Sequence, residues 1–170
     1  MYEKSLMMLL LIGLLSCQDS ELVDPVVQAP VKFPNVDPEL RPYFQRFEDE
    51  AAARGFIVDL TDAGITGAIE PIDEDHVAGQ CAFPRNRPNE VTVDQAFWVR
   101  GSDLFREFIV FHELGHCYLF RPHLESQFQN GACVSIMRSG NGTCLDNYHN
   151  GTRAGYIDEL FDWDSGLASN

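Results

Sequence analysis

The residues best suited to chemistry are gathered in His112-Glu113-Leu114-Gly115-His116. On a helix, positions i and i+4 share a face about one turn apart, so His112 and His116 present two imidazoles to one point. Such a pair holds a single zinc ion. A carboxylate beside the first imidazole, here Glu113, reaches a water at the metal and acts as general base. The metal lowers the pKa of that water toward about 7, which yields a hydroxide-like nucleophile at neutral pH. The pattern specifies one catalytic Zn2+, two ligands and a hydrolytic base.

These side chains need a rigid helix to carry them. Leu104, Phe105, Phe108, Ile109 and Phe111 lead into the motif, and Ser102-Asp103 supplies an N-cap signal ahead of them. This reads as a buried helix, where a His-Glu-His set without a metal would be costly. Upstream, Leu40, Tyr43, Phe44, Phe47 and Ala51 fall at helical spacing over residues 39–54, with Gly55 as C-cap. Phe56–Leu60 reads as a strand. Ile65–Ile72 and Val77–Phe83 read as strands around the Asp73-Glu74-Asp75 turn, and Glu90–Val99 as a further strand. Tyr156–Phe161 reads as a C-terminal helix. A helix and a small sheet preceding the motif helix give an α+β order.

The formal net charge is −14. That excludes nucleic acid as a natural partner and direct adsorption to an anionic bilayer. Cys81, Cys117, Cys133 and Cys144 are an even set and suggest two disulfides, for which three connectivities exist. Cys133 and Cys144 flank a Gly/Ser/Asn-rich segment and would staple it, which leaves Cys81 for Cys117; four free buried thiols are the alternative. A Cys117 ligand to the metal is disfavoured, because it points about 100° away from His116 on the helix.

At the N-terminus, Lys4 precedes an apolar run, Leu6–Leu15, too short to span a bilayer. Residues 1–16 read as a signal peptide. The run ends in Leu14-Leu15-Ser16-Cys17, which resembles the lipobox of bacterial lipoproteins. The resemblance implies cleavage before Cys17 and a diacylglyceryl group on its thiol. The protein would then be anchored to a membrane of the bacterial cell envelope without spanning it, periplasmic or surface-exposed. Removal of residues 1–16 takes away Glu3 and Lys4, so the charge stays at −14. Residues 17–38 are the lipidated Cys and a Pro-rich tether; Pro25, Pro30, Pro34, Pro38 and Pro42 punctuate this stretch and the domain's first residues. Residues 39–170 remain for one domain.

The order of elements around H-E-x-x-H resembles the zincin metallopeptidases. The resemblance implies a small single-domain fold, with a mixed β-sheet packed against the active-site helix and helices at both ends. Ser135-Ile136-Met137 is similar to the Met-turn of the metzincin branch, which implies that Met137 lies beneath the zinc as an apolar floor. The third ligand departs from that branch. Metzincins read H-E-x-x-H-x-x-G-x-x-H, whereas this chain has Leu119 at the Gly position, Pro122 at the His position, and His123 one residue later. On a continued helix His123 would lie about 10 Å beyond His116, too far for one zinc. Pro122 disfavours helix at Arg121, so a turn there can swing His123 back.

Two other zincin branches suggest other third ligands: Glu159, which otherwise reads as a solvated helix residue, and Asp146, which otherwise reads as a turn former. Tyr148 is an oxyanion-donor candidate by resemblance, but Ser139 occupies the position two residues after Met137 where that Tyr is usual. His76 and His149 lack ligand spacing. Asn141-Gly142-Thr143 and Asn150-Gly151-Thr152 are sequons that, in a bacterial chain, read as Asn-Gly turns.

The resemblance implies a monomeric zinc endopeptidase acting on protein or peptide substrates, which would lie along the edge strand around Val77–Phe83. The alternative is a non-catalytic surface module, an adhesin or complex component with a structural zinc. Glu113 argues against it, because a structural site needs no base and normally has four protein ligands. Hydrolysis of a non-peptide amide is a third reading.

Overall fold

Leu40, Tyr43, Phe44, Phe47 and Ala51 form the buried stripe of the first helix, α1 (Arg41–Ala53), in a computed structural model that describes residues 30–82, 89–140 and 142–162. The expected signal peptide 1–16, Cys17, Phe83 and Asn141 lie outside the described residues. Pro42 sits at the helix start, where its missing N–H costs nothing, and Gly55 takes the left-handed φ of 84° that ends it. The folded unit begins at Val31, so it takes in the last residues of the segment 17–38. Phe33 and Val36 are buried there, and Val36 bridges to Gly67.

Three strands follow: β1 (Thr66–Glu70), β2 (Gly79–Ala82) and β3 (Glu90–Asp94). Their order is β1-β3-β2, with β1 parallel and β2 antiparallel to β3. The sheet is therefore mixed, and β2 is an edge. Two expected strands differ. Phe56–Leu60 is irregular: Ile57 is fully exposed, and the Leu60 amide donates to the buried Glu48 carboxylate rather than to a strand. The segment Glu90–Val99 stops being a strand at Asp94, whose carboxylate accepts from the Ala96 and Phe97 amides and caps α2 (Gln95–Arg100). An N-cap carboxylate overrides the β-propensity of Phe97, Trp98 and Val99.

Helix α3 (Asp103–Cys117) carries the motif, capped as expected by Ser102, whose hydroxyl accepts from the Phe105 amide. Phe108, Ile109, Phe111 and Leu114 are buried beneath the sheet and against α1, with Phe47 and Phe111 in edge contact at 5.1 Å. Each such side chain contributes about 1.5–3 kcal/mol by leaving water. Two shorter helices close the unit, α4 (Gly142–Asn147) and α5 (Arg153–Phe161). The architecture is a small α+β domain with helices on either side of the motif in sequence.

A buried carboxylate ties three of these helices. Glu107 of α3 accepts from Arg46 of α1 at 2.7 Å, from Arg153 of α5 at 2.5 Å, and from the Tyr148 hydroxyl at 2.6 Å. A lone charge there would be costly; with two guanidiniums and a phenol its lone pairs are satisfied. Both disulfides form as expected, Cys81–Cys117 and Cys133–Cys144. Among the described residues no helix is long and apolar enough to cross a membrane.

Candidate metal centre

His112 and His116 sit one turn apart on α3, and His123 is brought to them by the turn after the helix. The His116 Nε2 lies 3.1 Å from the Nε2 of His112 and 3.1 Å from that of His123. Two nitrogens bound to one tetrahedral zinc at 2.0–2.1 Å stand about 3.3 Å apart, so the spacing matches a shared ion. These three histidines are the cluster of potential metal ligands among the described residues.

The turn that returns His123 uses Phe120. It takes a φ of 54°, a left-handed conformation uncommon outside glycine, and the Arg121 amide then donates back to the Gly115 carbonyl at 2.9 Å. The chain thus makes the reversal that returns His123 with a left-handed Phe120. Strain of this kind persists where the surroundings hold it. Here Arg121 is the anchor. Its fully buried guanidinium donates to the Glu159 carboxylate and to the Glu159 and Leu160 carbonyls of α5.

The outer hydrogen bonds fix the tautomers. The His112 Nδ1 is 2.8 Å from the Ile136 carbonyl and the His116 Nδ1 is 2.6 Å from the Arg121 carbonyl, so each Nδ1–H donates and each Nε2 keeps its lone pair. Burial lowers the pKa of His112 from 6.5 to about 4, against the Ile136 carbonyl, which raises it; His116 is also lowered, chiefly by burial. The neutral His112 and His116 rings face one another through lone pairs 3.1 Å apart and have no proton to share. A bound cation resolves the arrangement, so the residues fit a metal ion.

Met137 is fully buried against α3 at Gly115. A Cβ added at Gly115 would meet its Sδ at 2.4 Å, so the glycine inside the motif lets the methionine approach the helix. The Ser135 hydroxyl accepts from the Met137 amide at 2.9 Å and shapes the turn.

Glu113 lines the same cleft of about 510 Å³ as the three histidines, with β2 as the opposite wall. Burial raises its pKa from 4.5 to about 8, and a hydrogen bond from the Cys81 amide partly opposes this. A cation at the histidines would reverse the effect and favour the carboxylate. Gly79 is also in the wall: a Cβ there would stand 2.9 Å from the Glu113 carboxylate and 2.8 Å from Ile109.

The other candidates lie elsewhere. Glu159 is the ion-pair partner of Arg121, and Asp146 is exposed on α4. Tyr148 is buried with its hydroxyl on Glu107, so it is not free for an oxyanion. The His149 ring accepts from the Gly151 amide beside Asn150 in a turn. His76, expected at the surface, is exposed at the mouth of the cleft. Arg121 was not identified from sequence as a contributor to the site, and Gly79 was placed only within the edge strand Val77–Phe83, without its approach to Glu113. A glycine within a strand signals close approach of another group, which was the available cue for Gly79. Comparison with known proteins leaves the centre to stand on its own geometry, since no protein-family model, curated protein or solved structure matches the chain.

Proposed function

We propose that the protein is a zinc-dependent endopeptidase, exported and lipid-anchored through Cys17 in a bacterial envelope, with a metzincin-like zincin domain. The convergence of three Nε2 atoms beside a buried carboxylate carries this reading. His112, His116 and His123 would hold the ion. A set of three imidazoles is the donor number of catalytic rather than structural zinc sites, which argues against the binding-module alternative. When bound, zinc supplies Lewis acidity, acidifying water and polarising a carbonyl.

This chain's own residues do the rest. Glu113, as carboxylate, accepts the proton of the attacking water and delivers it to the leaving amine. The outward edge of β2 offers backbone groups to an extended peptide lying in the cleft. The Ile136 and Arg121 carbonyls keep the imidazoles oriented. Met137 and the position of His123 support the metzincin-like branch over those using Glu159 or Asp146. The lipobox-like Leu14-Leu15-Ser16-Cys17 supports the anchor.

The test is cleavage of a peptide library with and without zinc, with Glu113→Ala as control. The variant should keep its fold and zinc and lose about 10²- to 10⁴-fold in rate. Undiminished cleavage by the variant rejects the role of Glu113.

A further inference from the structure

The third imidazole of the centre is carried on an exposed arm. Within residues 122–130 only Leu124 is even half-buried, so packing does little to hold His123 where it lies. The arm is held instead by the segment that runs back beside it. The Leu124 amide donates to the Met137 carbonyl at 2.9 Å, the Val134 amide to the Ser126 carbonyl at 3.1 Å, and the Phe128 amide to the Ala132 carbonyl at 2.8 Å. Gln127 pairs with Cys133 in an antiparallel bridge. The Glu125 carboxylate accepts from the Ser139 amide at 3.1 Å.

The return segment is itself tied to the helices behind it. Ile136 and Met137 are fully buried and keep their places by packing. Ala132 and Val134 are only half-buried, but two cross-links meet at Cys133 between them. Its sulfur is bonded to Cys144 of α4, and its carbonyl accepts from the Tyr156 hydroxyl of α5 at 3.0 Å. Cys133 is also the residue that faces the arm, so ties from two helices reach the arm through one position. Arg121 fixes the chain two residues before His123, and the Gln127–Cys133 pairing fixes it four residues after. A ligand between two fixed points has little freedom to leave the other two imidazoles.

We propose that Cys133, held by Cys144 and Tyr156, is a positioning residue for the third metal ligand and keeps the arm of His123 closed on the centre. The proposal rests on the reading of His123 as a zinc ligand. A loosened arm leaves His112 and His116 where they are, because α3 carries both and the Ile136 carbonyl orients His112. What it loses is the third donor alone. The fraction of molecules with the arm closed then sets the apparent affinity for the ion.

Calorimetric titration of the full metal-free chain with zinc tests this without reference to activity. In Cys133→Ala/Cys144→Ala, which leaves no thiol there to capture zinc, the affinity should fall about 10- to 100-fold, the scale for loss of an outer support. In Tyr156→Phe, which removes only the hydroxyl, it should fall about 3- to 10-fold, the scale of one hydrogen bond. Placed on His123→Ala, either change should alter the remaining affinity less than about twofold, because the arm then carries no donor. A brace for the whole domain would instead weaken zinc binding equally in both backgrounds. Equal losses overturn the proposal, and so does an unchanged affinity on the wild-type background. If the bridge-free pair does not fold, Tyr156→Phe decides by the same cycle. Zinc binding undiminished in His123→Ala alone would instead reject His123 as a ligand, a failure the single variant shows before either change is added.

Discussion

The Nδ1 of His116 lies 2.6 Å from the carbonyl oxygen of Arg121, a residue beyond the end of α3. The same Arg121 sends its guanidinium into α5, to the Glu159 carboxylate and two carbonyls. One residue therefore orients a candidate metal ligand through its backbone and anchors a helix through its side chain.

Replacement of Glu159 separates a partner of Arg121 from a metal ligand. Glu159→Ala removes the carboxylate partner of a fully buried guanidinium, and should cost about 3 kcal/mol or more. Zinc bound at saturation should stay at one per chain. Urea unfolding gives the first quantity and metal analysis the second; a folded variant that binds no zinc would make Glu159 a ligand.

His123→Ala should weaken zinc binding by more than the 10- to 100-fold expected for loss of an outer hydrogen bond, because it removes one of three donors. Competition with a coloured chelator measures this. Asp146→Ala, on the exposed side of α4, should leave the affinity within about twofold, on the general rule that surface changes are near-neutral.

Phe120 is mostly exposed and holds a φ of 54°. Its side chain gains little from packing while its backbone sits in the left-handed region. Phe120→Gly should therefore raise stability by roughly 1 kcal/mol, less the extra freedom glycine has when unfolded. Thermal unfolding should show a rise of a few degrees, and a fall would mean that the aromatic ring contributes more than its exposure implies.

Glu107 supplies the pH dependence. Burial raises its pKa, but the bonds from Arg153, Tyr148 and Arg46 outweigh it and hold the carboxyl below its ordinary 4.5. A depressed folded pKa stabilises the protein fully above the unfolded value, and the contribution is lost as pH falls through the folded one. The share of stability owed to Glu107 should hold from pH 7 down to about 4.5 and decline below that. In Glu107→Gln the part of this slope owed to Glu107 should vanish, at a cost in stability at pH 7; an unchanged slope below pH 4.5 would rule out Glu107 as its source.

The motif helix was legible because its signals are local. Ser102 caps it, the apolar run gives its buried face, and the i, i+4 spacing of His112 and His116 carries straight into geometry. The return of His123 was legible through Pro122, and the disulfides through cysteine count and placement. Elsewhere a single polar atom decided the outcome. Asp94 turned an apparent strand into a helix start, and Glu48 took the Leu60 amide that a strand would have used. The partners of Glu107 and Arg121 come from positions 38 to 61 residues away, a separation that no periodicity reports.

The candidate ligands His112, His116 and His123 fall within one short stretch of chain, although the bond that orients His112 reaches to Ile136. An unfolded chain keeps such neighbouring imidazoles within reach of a common ion and retains part of its affinity. Linkage then sets a ceiling on what zinc can add to stability, because only the difference between native and unfolded binding counts. Zinc should accordingly raise the unfolding midpoint by less than its native-state affinity alone would give.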